Sequence, residues 1–221
     1  MQAVLLMLSG GLDSTYLLHH YLTHTDLAVH AHHIAIQYPQ QPRWRAEAAA
    51  VKCIVDHCRT HYRAFEFSES AFSLGFTGDV GWDSDLQLLV ASKVVPSIQA
   101  EHVTVALGWS MEDLQHPQVV ERGRRQVTPN LWRALWASIN NNARINPELA
   151  MPLLEQKLTK GKMLQALPRE LARLCWSCRG RSHHDELKQP CGRCHACVFN
   201  LRALQAAGLN AAEWPNLAAP G

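Results

Sequence analysis

The sequence predicts an α/β fold: a doubly wound, mostly parallel sheet followed by a small helical segment built around cysteines. Three observations carry this. A continuous apolar run, Ala3-Val4-Leu5-Leu6-Met7-Leu8, ends abruptly in Ser9-Gly10-Gly11. Strand-like and helix-compatible stretches then alternate as far as Leu107. Five of the seven cysteines fall between Cys175 and Cys197. An unbroken apolar strand is one buried on both faces, as central strands of parallel sheets are. Strands alternating with helices imply crossover connections and hence a parallel sheet.

The elements follow in order. Ala3 to Leu8 is the first strand, and Ser14 to Leu22 is helix-compatible through Tyr16, Leu17, Leu18, Tyr21 and Leu22. Val29 to Ile36 alternates apolar residues with His30, His32 and His33 and reads as a second strand. Arg45 to Tyr62 is an alanine-rich helix and Arg63 to Phe67 a short third strand. Asp85 to Ala100 forms a long helix with an apolar core face, and His102 to Leu107 a fourth strand. Beyond Gly108 the pattern turns helical and polar, with Arg122-Gly-Arg-Arg125 and Asn140-Asn-Asn142 marking loops or helix ends, and the tail from Gly208 packs loosely. The expected boundary leaves 1–165 as the α/β domain and 166–221 as the C-terminal segment.

At 221 residues and 47% apolar, the chain can bury a full core. A net charge of +2 contains no basic tract that demands nucleic acid. The longest apolar runs are too short to span a membrane. Met1 leads into the first run without a basic n-region, so a signal peptide is not expected and the cytoplasm is the expected location. In that compartment seven cysteines argue for metal or catalysis over disulfides. Cys53 and Cys58 read as two buried small hydrophobes.

Strand, then Ser9-Gly10-Gly11-Leu12-Asp13-Ser14, then helix offers backbone N–H groups and two hydroxyls to an anion at a helix N-terminus. The two glycines permit positive φ and close approach of an oxygen-rich ligand. Asp13 suits a hydrated Mg²⁺ riding on phosphates. The loop is not a Walker A, because it lacks the Gly-Lys-Ser/Thr ending. At the other end, Cys191-Gly-Arg-Cys194-His-Ala-Cys197 puts three thiolates on one tight turn, and Cys178 can close a tetrahedron around Zn²⁺. Cys175 is the reserve for the fourth position and an iron–sulfur cluster the rival metal, while His183, His184 and His195 read as solvated.

Ser9 to Ser14 resembles the Ser-Gly-Gly-x-Asp-Ser loop of the ATP pyrophosphatases, which cleave ATP between the α and β phosphates. With Trp176-Ser-Cys178, Pro190-Cys-Gly-Arg-Cys-His-Ala-Cys197 and Leu201-Arg-Ala-Leu204, the chain resembles the 7-cyano-7-deazaguanine synthase family over most of its length. Pro152-Leu-Leu154 with Thr159-Lys160, and Gly108 to Asp113 with Pro117, resemble intervening family segments, and Tyr38 and Glu47 flank another. The family's Arg-Asn segment is replaced by Val80-Gly-Trp-Asp-Ser-Asp85, and His116-Pro-Gln-Val119 lacks its Tyr, Asp and Cys. The acidic stretch changes the charge offered to a phosphate or carboxylate.

The resemblance implies an adenine nucleotide alpha hydrolase-like fold and ATP-dependent adenylation of 7-carboxy-7-deazaguanine, followed by amination to the nitrile. ATP, Mg²⁺ and a structural Zn²⁺ are the implied cofactors. Ser9, Gly10, Gly11, Leu12, Asp13, Ser14 and Thr15 would hold ATP, with Asp13 and Lys160 catalytic. Asp113 and Tyr38 would meet the substrate, Asp113 by accepting from a guanine-like edge, and no residue stands out as a general base. The partners implied are the deazaguanine acid and an amine donor, either ammonia or a protein amine. No membrane and no nucleic acid are expected, and a homodimer is admitted. Two alternatives stay open: an enzyme that stops at an amide or joins the acid to another amine, and a zinc-bearing nucleic-acid module using Arg122 to Arg125, Arg179 and Arg181.

Overall fold

The structure is a computed structural model that describes residues 1–38, 43–73, 82–139, 145, 147–180 and 189–217. His183, His184, Arg181, Val80 and Asn140 to Asn142 lie outside the described residues. Five parallel strands stand in the order β3-β2-β1-β4-β5: β1 (Gln2–Met7), β2 (Ala28–Ile36), β3 (Glu66–Phe72), β4 (His102–Ala106) and β5 (Glu148–Ala150). β1 lies at the centre, and Val4, Leu5 and Leu6 have no exposed surface, as an apolar run without alternation requires. Leu5 pairs with His30 on one side and with Val105 on the other.

The helices cover both faces. Val4 and Leu6 belong to the core made with α1 (Leu12–His24) and α2 (Arg43–His61), while Leu5 and Met7 belong to the core made with α3 (Asp83–Val94) and α5 (Arg124–Ile139). A short α4 (Pro117–Glu121) precedes α5. The C-terminal elements are α6 (Pro152–Glu155), α7 (Lys160–Ala166), α8 (Arg169–Ala172) and α9 (His195–Ala206). They share the first core: Leu153, Met163, Leu171, Leu204 and Trp214 are buried in the same cluster as Leu17 and Ile54. Among the described residues no helix is long and apolar enough to cross a membrane.

Expected elements shift for local reasons, and one strand appears that was not expected. The third strand runs Glu66–Phe72, not 63–67; it is an edge strand, and its polar stretch Ser68-Glu69-Ser70 lacks the apolar run that marks a central strand. The helix expected to reach Ala100 ends at Val94, where Pro96 turns the chain into a 3₁₀ turn over Val95–Ser97. β5 is only three residues long and carries no periodic signal. Of the two helical cysteines, Cys58 is buried and Cys53 is exposed.

Candidate functional site

Chain order reverses between β1 and β4, and a cavity of about 430 Å³ opens at the carboxyl ends of the strands beside that point. This is where open parallel sheets bind ligands. The floor comes from the ends of β1 and β2, one wall from α3, and the other from the segment leading into the C-terminal cysteines.

The glycine-rich loop owes its shape to one glycine more than the other. Gly10 has φ +78°, and a Cβ there would lie 3.0 Å from the Glu47 carbonyl and 3.1 Å from Val51 Cγ2. Only glycine fits that turn. Gly11 is extended at φ −81°, and a Cβ would make ordinary contacts of 3.4 Å or more. The expectation of positive φ therefore holds for Gly10 alone. Ser14 Oγ accepts from Ser9 N–H at 3.2 Å, and Ser9 Oγ lies 3.1 Å from it. Thr15 Oγ1 donates to the Gly11 carbonyl at 2.8 Å. Ser9, Gly11, Asp13 and Ser14 line the cavity, whereas Leu12 and Thr15 are buried beneath it and brace the turn. Helix α1 starts at Leu12, so the N–H groups of Leu12, Asp13 and Ser14 lack intrahelical acceptors.

Facing the loop is a charge cluster whose lysine stands 147 residues from Asp13 in sequence. Lys160 Nζ is bonded to Asp13 Oδ2, and Lys160 is 6% exposed at the first position of α7. A cation there opposes the helix macrodipole. Its backbone N–H donates to Glu112 Oε1 at 2.9 Å. Asp113 Oδ2 accepts from the Ser110 N–H at 2.8 Å and from its hydroxyl at 3.0 Å. Burial works against the Lys160 ammonium, but Asp13, Asp113 and Glu112 outweigh it and raise its pKa. Burial, backed by Asp113 and Glu112, pushes the Asp13 carboxyl up to about 6 despite Lys160. One ammonium among three carboxylates leaves surplus negative charge, so both partners hold protons more tightly. Asp13 Oδ1 and Glu112 Oε2 are buried with no hydrogen-bond partner among the described residues.

The acidic stretch on α3 does not present bare charge. Asp83 accepts from Arg43 Nη2 at 2.6 and 2.7 Å and from the Tyr38 hydroxyl at 3.0 Å. Although burial opposes its charge, Arg179, Arg43 and Tyr38 hold the Asp83 carboxyl below its ordinary value. Asp85 is bonded by Arg124, which is itself buried. The expected change of charge at this wall is thus met by arginines from α2 and α5, and Arg124 is turned inward. Tyr38 lies outside the cavity lining, behind Asp83.

Four sulfurs meet below the opposite wall. The Sγ atoms of Cys178, Cys191, Cys194 and Cys197 all lie within 4.8 Å of one another. A tetrahedral Zn²⁺ with Zn–S of about 2.3 Å implies S···S separations of about 3.8 Å. Backbone N–H groups of Gly180 and Cys191 reach Cys178 Sγ at 3.4 and 3.2 Å, that of Arg179 reaches Cys194 Sγ at 3.3 Å, and that of Cys194 reaches Cys191 Sγ at 3.3 Å. Such donors favour thiolates. Cys175 points elsewhere: its thiol donates to the Leu171 carbonyl at 3.8 Å, and burial pushes its pKa up to about 12.

The residues that sequence reasoning left unassigned are Trp82, Trp109, His33, Trp176 and Ser177, which all line the cavity. The Trp-Ser pair was visible beside Cys178, but its place against the loop depends on the Trp176 N–H donating to the Gly10 carbonyl at 2.8 Å.

No family model and no curated protein matches the chain. Among solved structures it is similar to the U34-tRNA thiolase NcsA from Methanococcus maripaludis with its [4Fe-4S] cluster. The two are 13% identical, with a TM-score of 0.43, over 91% of this chain and 80% of that one. A likeness of that size bears on neither substrate nor cofactor.

Proposed function

We propose that the protein is an ATP-dependent ligase that adenylates 7-carboxy-7-deazaguanine and aminates it to 7-cyano-7-deazaguanine. The observation that supports this best is the cavity itself: Ser9, Gly11, Asp13 and Ser14 surround a helix N-terminus directly opposite the buried Lys160. Amides and a cation arranged in this way favour charge developing on a departing pyrophosphate.

In this reading a carboxylate oxygen of the acid attacks the α phosphorus and pyrophosphate leaves. Ammonia then displaces AMP to give the amide, and a second ATP activates the amide oxygen, whose loss with AMP leaves the nitrile. The Leu12, Asp13 and Ser14 amides and the Ser9 and Ser14 hydroxyls hold the leaving group, and Lys160 faces it from α7. Asp113, oriented by two bonds from Ser110, is the carboxylate placed to accept from an amino edge of the base. Asp13 and its neighbour Glu112 would hold Mg²⁺, a fit supported by the orphaned oxygen on each. When bound, the ion supplies screening of phosphate charge.

The four cysteines would hold a structural Zn²⁺. A span of 4.8 Å suits one ion, whereas a cluster carrying its own irons and sulfides needs its thiolates further apart. All four positions are protein ligands, so no site stays open for chemistry. Incubation with ATP, Mg²⁺, the deazaguanine acid and ammonium, read by product mass, tests the reading. The nitrile is expected. An accumulated amide, or acid attached to a protein amine, would replace nitrile synthesis by amide formation, and no consumption of the acid would remove the substrate.

A further inference from the structure

Residues 175–179 serve the loop and the cysteine cluster at once. The Trp176 N–H is bonded to Gly10, and Ser177 Oγ lies 3.5 Å from where a Gly11 Cβ would stand. One residue later Cys178 enters the four-sulfur group. Arg179 follows, and its two ends have different partners. Its backbone N–H donates to Cys194 Sγ at 3.3 Å, while its guanidinium lines the cavity with Nη1 3.4 Å from Asp83 Oδ2.

That last contact is longer than the bonds Asp83 receives from Arg43 and Tyr38. Asp83 already receives two bonds under 2.8 Å from Arg43 and one from Tyr38. The Arg43 side chain is 5% exposed, and that of Arg179 is 48% exposed. Lys160 is engaged by Asp13. Arg179 is therefore a cavity-lining cation held weakly enough for a ligand to claim it, and its fork suits an oxyanion.

We propose that Arg179 binds an oxyanion of the substrates, either a phosphate of ATP or the carboxylate of the acid, and that the metal held by the four cysteines positions it there. The claim rests on the adenylation reading. Bringing a carboxylate to a polyphosphate sets two anions together, and a guanidinium at the wall offsets their repulsion. The cysteine segment then supplies a binding residue as well as holding the fold.

Quenching of the cavity tryptophans Trp82, Trp109 and Trp176 gives a binding signal independent of turnover. The full-length zinc-loaded protein, Arg179→Ala and Arg179→Lys are titrated with pyrophosphate, with Mg²⁺-ATP and with the deazaguanine acid. Arg179→Ala should retain one zinc per chain, because its bond to Cys194 is a backbone one. It should bind at least one of these anions about tenfold more weakly, the usual effect of losing a charged hydrogen bond, and Arg179→Lys should recover part of the loss. A loss confined to ATP and pyrophosphate assigns the oxyanion to phosphate, and a loss confined to the acid assigns it to carboxylate. Removing zinc with a chelator should weaken the wild type by a similar factor and the alanine variant hardly further. Equal binding of all three ligands by wild type and Arg179→Ala overturns the proposal and leaves adenylation standing. An equal further loss on chelating Arg179→Ala overturns the metal's part. Failure of the wild type to bind ATP overturns the adenylation reading and this proposal with it.

Discussion

Replacing Asp83 by alanine should destabilise the protein severely. The carboxylate is the principal counter-charge of Arg43, whose side chain is only 5% exposed and whose Nε already has no partner among the described residues. Without Asp83, the guanidinium keeps, among the described residues, Glu47 at 3.7 Å and 19% exposed, and the face of the Tyr38 ring at 5.4 Å. Breaking a buried pair from one side costs about 3–5 kcal/mol, because an uncompensated charge stays buried. The remaining Glu47 contact places the expected loss at the lower end, about 3 kcal/mol. For a chain of this size each kcal/mol shifts Tm by about 2–4 °C, so the midpoint should fall by about 6–12 °C. Urea denaturation followed by circular dichroism gives the free energy directly. The paired replacement Arg43→Leu with Asp83→Leu should cost less than the sum of its singles, since it removes both charges together. A loss under about 1 kcal/mol for Asp83→Ala, or strict additivity in the double variant, would refute the argument that this wall is held by a buried ion pair.

Other consequences can be checked independently. Lys160→Met should lower turnover by about 10²–10³-fold with little change in zinc content, if the ammonium meets charge on the leaving group. Gly108→Ala should weaken nucleotide binding, because the new Cβ would press on the Ser14 amide nitrogen at 3.0 Å; isothermal titration calorimetry measures this. Gly180→Ala should impair zinc loading, read as metal per chain, since its Cβ would lie 2.8 Å from Cys191 Sγ. On acidification, burial, with His30 and His33, holds His32 down to about 4 against an ordinary 6.5. The unfolded chain therefore takes up the proton first, and stability falls as pH drops from about 6.5 towards about 4. Asp13, raised from 3.8 to about 6, acts in the opposite sense between those values. The half-buried His19, His20 and His30, also lowered, chiefly by desolvation, add to the His32 effect. Urea midpoints between pH 7.5 and 5 should decline, with a shallower slope in His32→Asn.

The readable parts of the molecule were those coded locally. A short apolar run without alternation that ends in Ser-Gly-Gly reads as a strand covered on both faces, so β1 and its loop could be placed from residues 3–14 alone. The cysteine spacing fixed three sulfurs on one turn, and Cys178 rather than Cys175 completed the group because Cys175 faces Leu171 within the core. Charge partners were not legible, because each is a contact between distant elements. Asp83 and Asp85 looked like an uncompensated acidic stretch until Arg43 and Arg124 were seen beside them, 40 and 39 residues away in sequence. Lys160 could be suspected from its neighbours, but its burial against Asp13 depends on α7 packing over α1. The strand at Glu148–Ala150 is short enough that only its pairing with β4 defines it.

In the proposed reaction the Ser9–Ser14 loop holds the pyrophosphate of an ATP whose α phosphorus is attacked by a carboxylate. The most direct measurement supplies 7-carboxy-7-deazaguanine labelled with ¹⁸O in its carboxylate, together with ATP, Mg²⁺ and ammonium, and follows the label by mass spectrometry. If this reaction occurs, pyrophosphate accumulates and each AMP carries one labelled oxygen, with two labelled AMP molecules for each nitrile. ADP and phosphate as products, or AMP without label, would contradict it.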